Sequence, residues 1–284
     1  MRVAKTIKSV RKLVKAARGK DKKIGLVPTM GALHIGHISL IKAAKKKCDF
    51  VVVSVFVNPA QFGPGEDFEK YPRPLNADLE ICKKAGVDVV FAPMVKQIYP
   101  RENITWVNVE KLTEQLCGRS RPGHFRGVTT VCAKLFNIVA PDLAFFGQKD
   151  AQQVIVIKRM VADLNMPLKI VVCPTVRQPD GLAVSSRNQY LTGPQKKDAA
   201  LIYKSLQKCQ QLIEDSISNS KTIIAQMRKV LQQAPSIRIE YISIVDAETL
   251  QELDKITGKI LTAVAVKIGS TRLIDNILID TGKE

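Results

Sequence analysis

The feature that most limits how this chain can fold is an alternation that runs through roughly its first 175 residues. Short, mostly apolar runs at 23–27, 50–57, 87–91, 143–146 and 168–173 alternate with stretches of helical spacing at 37–47, 76–85, 128–139 and 151–164. Strands that are apolar throughout must be covered on both faces, and strands that alternate with helices build βαβ units around a parallel sheet. The pattern predicts a doubly wound α/β fold.

After Arg187 the rhythm changes. Two polar helical stretches, 194–213 and 221–233, precede strand-like alternation at 238–245, 260–268 and 271–279. The expected organisation is a Rossmann-like domain over 1–175 and a smaller α+β domain over 176–284, a division that suits a chain of 284 residues. At the start of the chain, Ile7, Val10, Leu13, Val14 and Ala17 share one helical face opposite a basic strip. That spacing describes an amphipathic surface helix better than a targeting or membrane-surface segment. No apolar run reaches the roughly 20 residues of a membrane-spanning helix, which predicts a soluble protein.

Cys48, Cys82, Cys117, Cys132, Cys173 and Cys209 stand singly with no metal-ligand spacing, as reduced thiols of a cytoplasmic protein would. A net charge of +18 suits a protein that handles phosphates, nucleic acid or other anions. With only 5% aromatic residues and no basic-aromatic motif, stacking of nucleic-acid bases has little support, and no nucleic-acid or membrane partner is expected.

Chemistry is expected in the loops beyond the carboxyl ends of the strands. The first strand runs into Pro28-Thr29-Met30-Gly31-Ala32-Leu33-His34-Ile35-Gly36-His37 and then a helix. Gly31 and Gly36 allow a close backbone approach, the helix N-terminus favours phosphate, and His34 and His37 can donate to triphosphate oxygens. Two histidines at this spacing could instead bind a metal, but no third ligand accompanies them, or they could simply start a helix. No GxxxxGK[ST] loop occurs. Further along, Val184-Ser185-Ser186-Arg187-Asn188 follows the last parallel strand and the Asp180-Gly181 turn. Its hydroxyls and guanidinium can bind phosphate oxygens and offset the charge of departing pyrophosphate, although such a string is also an ordinary serine-rich turn.

The two motifs together resemble the pantothenate synthetases, a family of pantoate–β-alanine ligases within the HxGH nucleotidyltransferases. The likeness covers nearly the whole chain. It includes Asn58-Pro59-Ala60-Gln61-Phe62, Tyr71-Pro72-Arg73, Arg121-Pro122-Gly123-His124-Phe125, Phe146-Gly147-Gln148-Lys149-Asp150 and Gln152-Gln153. The resemblance implies ATP-dependent joining of pantoate and β-alanine through a pantoyl adenylate, with Mg²⁺ accompanying ATP, in a homodimer.

It also implies the site. Met30, Gly31, Ala32, Leu33, His34, Ile35, Gly36 and His37 would line the ATP pocket with Gly147, Gln148, Lys149 and Asp150. Val176, Val184, Ser185, Ser186 and Arg187 would complete it. His37 would take the central catalytic role, helped by His34, Lys149, Ser185, Ser186 and Arg187; Lys149 would hold phosphate and Asp150 the ribose. Gln61 and Gln153 would hold pantoate, with β-alanine near Gln61. The smaller domain would act as a lid hinged near 175–182.

Two positions depart from the family pattern. Asp78, on a helix, could cap or pair locally or correspond to the family's metal-side carboxylates; it stands alone where some members carry a run of acids, which puts a direct metal-ligand role in doubt, and Gln148 replaces a glutamate found in some relatives. Gln61 and Gln153 could simply bond backbone groups, and Arg121 and His124 could order a lid or merely solvate a loop. The competing readings are another HxGH nucleotidyltransferase, which leaves 58–62 and Gln153 unexplained, and an RNA-binding remnant of a tRNA synthetase, which lacks any further domain or motif.

Overall fold

The computed structural model describes residues 1–282 and divides into two compact units. The larger comprises Met1–Thr113, Gly118–Gln148 and Gln152–Pro174; the smaller comprises Glu114–Cys117, Lys149–Ala151 and Thr175–Glu284.

The larger unit is built on six strands: β1 (Arg2–Ala4), β2 (Ile24–Thr29), β3 (Phe50–Val55), β4 (Val89–Phe91), β5 (Leu143–Gly147) and β6 (Lys169–Cys173). They form one sheet in the order β1-β4-β3-β2-β5-β6, every pair parallel. Ile24, Leu26, Val27 and Val51 to Val53 are fully buried, as the apolar runs require of strands covered on both sides. The connecting helices are α1 (Ile7–Arg18), α2 (Ile35–Lys47), α3 (Leu75–Lys84), α4 (Val95–Ile98), α5 (Cys117–Ser120), α6 (His124–Val139) and α7 (Ala151–Asp163). Val10, Val14 and Ala17 of α1 turn inward, so the basic strip of that helix faces solvent.

Sequence and structure differ at a few ends. Strand β1 is not visible in the sequence pattern. It has three residues, of which only Ala4 is buried, and it adds to the sheet edge beside β4. Helix α2 begins at Ile35 rather than near 37, because His34 and His37 cap it reciprocally, and α6 begins at His124 rather than 128, directly after Gly123 in the left-handed conformation. Chain order reverses between β2 and β5, where β3 and β4 run off to one side and β6 to the other. Such a switch point opens a crevice at the carboxyl ends of the strands.

In the smaller unit, α8 (Gly193–Glu214) and α9 (Ser220–Leu231) pack on an antiparallel sheet of β7 (Ile237–Asp246), β8 (Lys259–Ile268) and β9 (Thr271–Asp280). Thr192 and Gln195 cap α8 reciprocally, and Asn219 caps α9. Leu206, Ile223, Met227 and Leu231 are fully buried against the sheet, each worth about 1.5–3 kcal/mol of apolar burial. Lys149 and Asp150, which the sequence assigns to the first domain, group with this unit. All six cysteines are buried, and none is in a disulfide.

Candidate active site

At the end of β2 the chain cannot go straight into α2. Gly31 and Ala32 both take the left-handed conformation, with φ of 85° and 50°. A side chain at 31 would be strained by that φ and would also meet the Asp78 carboxylate at 2.9 Å. Asp78, only 1% exposed on α3, accepts the main-chain N–H of Ala32 at 3.0 Å through Oδ2 and that of Leu33 at 2.7 Å through Oδ1. Burial pushes its carboxyl above the ordinary 3.8, against the pull of these two bonds. Asp78 therefore braces the turn, the local role among the sequence's alternatives.

The histidines then close the helix end on themselves. His34 is the N-cap, and its Nδ1 accepts the N–H of Gly36 at 3.2 Å, while Nδ1 of His37 accepts the N–H of His34 at 3.3 Å. The rings lie 4.1 Å apart. Gly36 is required because a Cβ there would sit 2.9 Å from the His34 ring. The sequence offers the first-turn amides to phosphate, but here the Gly36 amide is taken by His34. With each Nδ1 accepting, the proton of a neutral ring sits on Nε2. The pair thus favours the tautomer with the proton on Nε2 in each neutral ring, where β2 meets the switch point.

Beside it, beyond β3, Gln61 lies in a 3-10 turn, Pro59–Gln61. The sequence leaves open whether its amide meets only backbone; instead its Oε1 accepts from Asn58 Nδ2 at 3.1 Å and its Nε2 donates to Met30 Sδ at 3.1 Å. Asn58 is oriented in turn by the Tyr99 hydroxyl, which donates to its Oδ1 at 2.9 Å, and by the carbonyl of Gly127, which accepts from Nδ2. Burial pushes the Tyr99 phenol up to about 12, so it stays a donor. Only glycine fits at 127, where a Cβ would lie 2.1 Å from the Ala60 carbonyl oxygen.

The main chain of Gln61 is held as well. His124 Nδ1–H donates to its carbonyl at 2.7 Å, and Arg121 donates to His124 Nε2 at 3.0 Å and grips Glu66 through two 2.6 Å bonds. Burial pushes Glu66 up, but the Arg121 guanidinium outweighs it and holds the carboxyl below its ordinary range. Gln153, half-buried, stands in the first turn of α7 beyond β5. In the same turn Gln152 is buried and donates to the Leu112 carbonyl at 2.9 Å, a structural tie.

In the smaller unit, the Lys149 ammonium lies 3.6 Å from Asp150. Residues 175–184 form a narrow hairpin, with Val184 N–H donating to the Val176 carbonyl and Gln178 N–H to that of Leu182. Ser185 caps the 3-10 turn Ser186–Tyr190 by accepting the Arg187 N–H. Asn188 Nδ2 ties the turn to the Ala183 carbonyl. Among the described residues no group of three or more His, Cys, Asp and Glu could hold a metal ion.

The larger unit thus gathers Met30 to His37, Gln61, Gly147, Gln148 and Gln153 at the ends of three adjacent strands, and the smaller carries Lys149, Asp150, Val176 and Val184 to Arg187. Apolar spacing does not single out the supports Tyr99 and Asp78, because their partners lie 41 and 45 residues away.

Comparison with known proteins gives a consistent result. A family model described as pantoate-beta-alanine ligase matches residues 2–278. A relative named pantothenate synthetase from Thermoanaerobacter pseudethanolicus is 55% identical over 278 residues, covering 98% of each chain. One from Acetivibrio thermocellus is 52% identical over 280 residues, covering 99% of this chain and 100% of that one. The crystal structure of pantothenate synthetase from Thermus thermophilus superposes with a TM-score of 0.93 at 43% identity, over 98% of this chain and 99% of that one. Pantoate-beta-alanine ligase from Francisella tularensis, solved with β-γ ATP and β-alanine, gives 0.81 at 39% identity over 100% and 99%.

Proposed function

The chain belongs to the pantoate-beta-alanine ligase family, enzymes that form pantothenate, and on that premise we propose that it works through ATP and a pantoyl adenylate. The observation that carries the proposal is the reciprocally capped histidine pair, whose neutral rings favour the proton on Nε2 at the switch point of the sheet. The relative solved with an ATP analogue and β-alanine supports the choice of those substrates.

A carboxylate is a poor acyl donor, so it must first acquire a leaving group. One pantoate carboxylate oxygen attacks the α-phosphorus of ATP, and pyrophosphate departs. His37, with His34, donates Nε2–H bonds to the phosphate oxygens as charge moves onto them; Lys149, Ser185, Ser186 and Arg187 add further donors. The neutral amine of β-alanine then attacks the acyl carbon of this mixed anhydride and gives up a proton to solvent, and AMP leaves with the carboxylate oxygen that joined the two. No protein nucleophile is needed.

Met30 to His37, Gly147 to Asp150, Val176 and Val184 to Arg187 hold ATP in this account. Gln61 and Gln153 hold pantoate, and β-alanine follows beside Gln61. Mg²⁺ enters with the ATP phosphates, and no step runs through a metal held by the protein. Residues 1–175 then hold pantoate and most of the nucleotide, and 176–284 complete the nucleotide site and exclude water as a lid, in a cytoplasmic homodimer whose assembly sedimentation would check.

The experiment is exchange of labelled pyrophosphate into ATP with Mg²⁺ present and β-alanine omitted. Exchange that requires pantoate is expected. Exchange supported by another acid, or none with pantoate, would overturn the proposal.

A further inference from the structure

Strand β9 carries two buried polar side chains in succession, Asp275 at 3% exposure and Asn276 at 4%. Consecutive strand residues point to opposite faces. Leu273 and Ile277 turn with Asp275 toward the α8 and α9 core, and Asn276 turns the other way. The two therefore serve different neighbours. Asp275 accepts from both terminal nitrogens of Arg177, at 2.5 and 3.1 Å, and from the Asn276 N–H at 2.8 Å. Arg177 also donates to the Gly181 carbonyl at 3.2 Å and lies 3.8 Å over the Tyr203 ring. The hairpin that leads into Val184 to Arg187 is thereby tied to the strand. On the opposite face, Asn276 Nδ2 donates to the Lys149 carbonyl at 2.8 Å.

From this we infer that Asp275 and Asn276 are a positioning pair for phosphate binding: Asn276 fixes the main chain from which the Lys149 ammonium extends, and Asp275, through Arg177, fixes the hairpin that presents Ser185 to Arg187. The inference rests on the proposed role of Lys149 and Ser185 to Arg187 in holding ATP. Neither β9 residue touches substrate in this account. The geometry favours positioning over packing alone because a single strand dipeptide reaches both segments, 98 residues from Arg177 and 127 from Lys149. A side chain as long as lysine turns a small error at its main chain into a larger one at its charged end.

The test is a double-mutant cycle on ATP binding, measured by calorimetry with Mg²⁺ and no pantoate, on the full chain. Asn276→Ala is expected to weaken ATP about tenfold, in keeping with a part-buried acceptor losing its partner. Lys149→Ala should weaken it at least as much, and Asn276→Ala added to Lys149→Ala should bring no further loss. Factors that multiply in the double variant, or ATP binding unchanged in Asn276→Ala, would overturn the inference. If Asn276→Ala does not fold, Asn276→Leu, which keeps a similar size and has no donor, carries the same cycle. A wild-type chain that fails to bind ATP would break the proposed function itself, which separates the two failures.

Discussion

The histidine turn of the larger unit and the phosphate-side segments of the smaller unit are held in shape by different physics. Residues 29–37 are fixed by contacts among themselves and by one buried carboxylate, Asp78, that accepts two main-chain N–H groups. Lys149 and the 175–188 segment depend on a nearly buried ion pair and one amide, both supplied from β9 near the end of the chain. A compact motif tolerates change elsewhere and fails when its own acceptors are lost. A distributed support fails when a charge far along the chain is left without its partner.

That contrast ranks the expected effects. The largest is Arg177→Ala, which strands the Asp275 carboxylate, 2% exposed, and should lower unfolding free energy by about 3–5 kcal/mol in urea. A loss under 1 kcal/mol would show that the pair does not hold the smaller unit. Next is His37→Ala. It should cost about 10²–10³-fold in pyrophosphate exchange through lost phosphate donors, but only about 1 kcal/mol in stability through the cap. Equal losses in both would make the turn merely structural.

Asp78→Asn comes third, at about 1–3 kcal/mol, because an amide can accept only one of the two N–H groups. Its pH signature is specific. Since the folded carboxyl titrates above the ordinary 3.8, its contribution is most favourable below that value and is lost as pH rises through the folded pKa. The variant should lack this decline. Glu66→Gln is the smallest, about 1 kcal/mol or less at neutral pH, and of opposite sign. A carboxyl held below 4.5 contributes stability above that pH and loses it as pH falls through the folded pKa, so the variant's stability should be flatter in acid. If both variants shift the acid profile in one direction, the assignment of Asp78 and Glu66 to opposite behaviour is wrong.

The legibility of the molecule follows the same contrast. The parallel sheet was readable because strands covered on both faces must be apolar along their length, as Val51 to Val53 are. Strand β1 was not, since three residues with one buried side chain carry no periodicity. The histidine turn could be read because its residues are contiguous, yet its tautomer could not, because that depends on which nitrogen meets a main-chain N–H. Gln61 was legible as a candidate, but Tyr99, which orients its neighbour Asn58, was not. Asn276 reads as one more polar residue in a strand pattern, and only the fold brings it to the Lys149 carbonyl.

Whether pantoate is activated as an adenylate can be read by following oxygen. Pantoate labelled with ¹⁸O in its carboxylate is incubated with the chain, ATP, Mg²⁺ and β-alanine, and the nucleotide product is analysed by mass spectrometry. AMP carrying one ¹⁸O atom is expected for each pantothenate formed. Unlabelled AMP, or ADP with labelled phosphate, would contradict it.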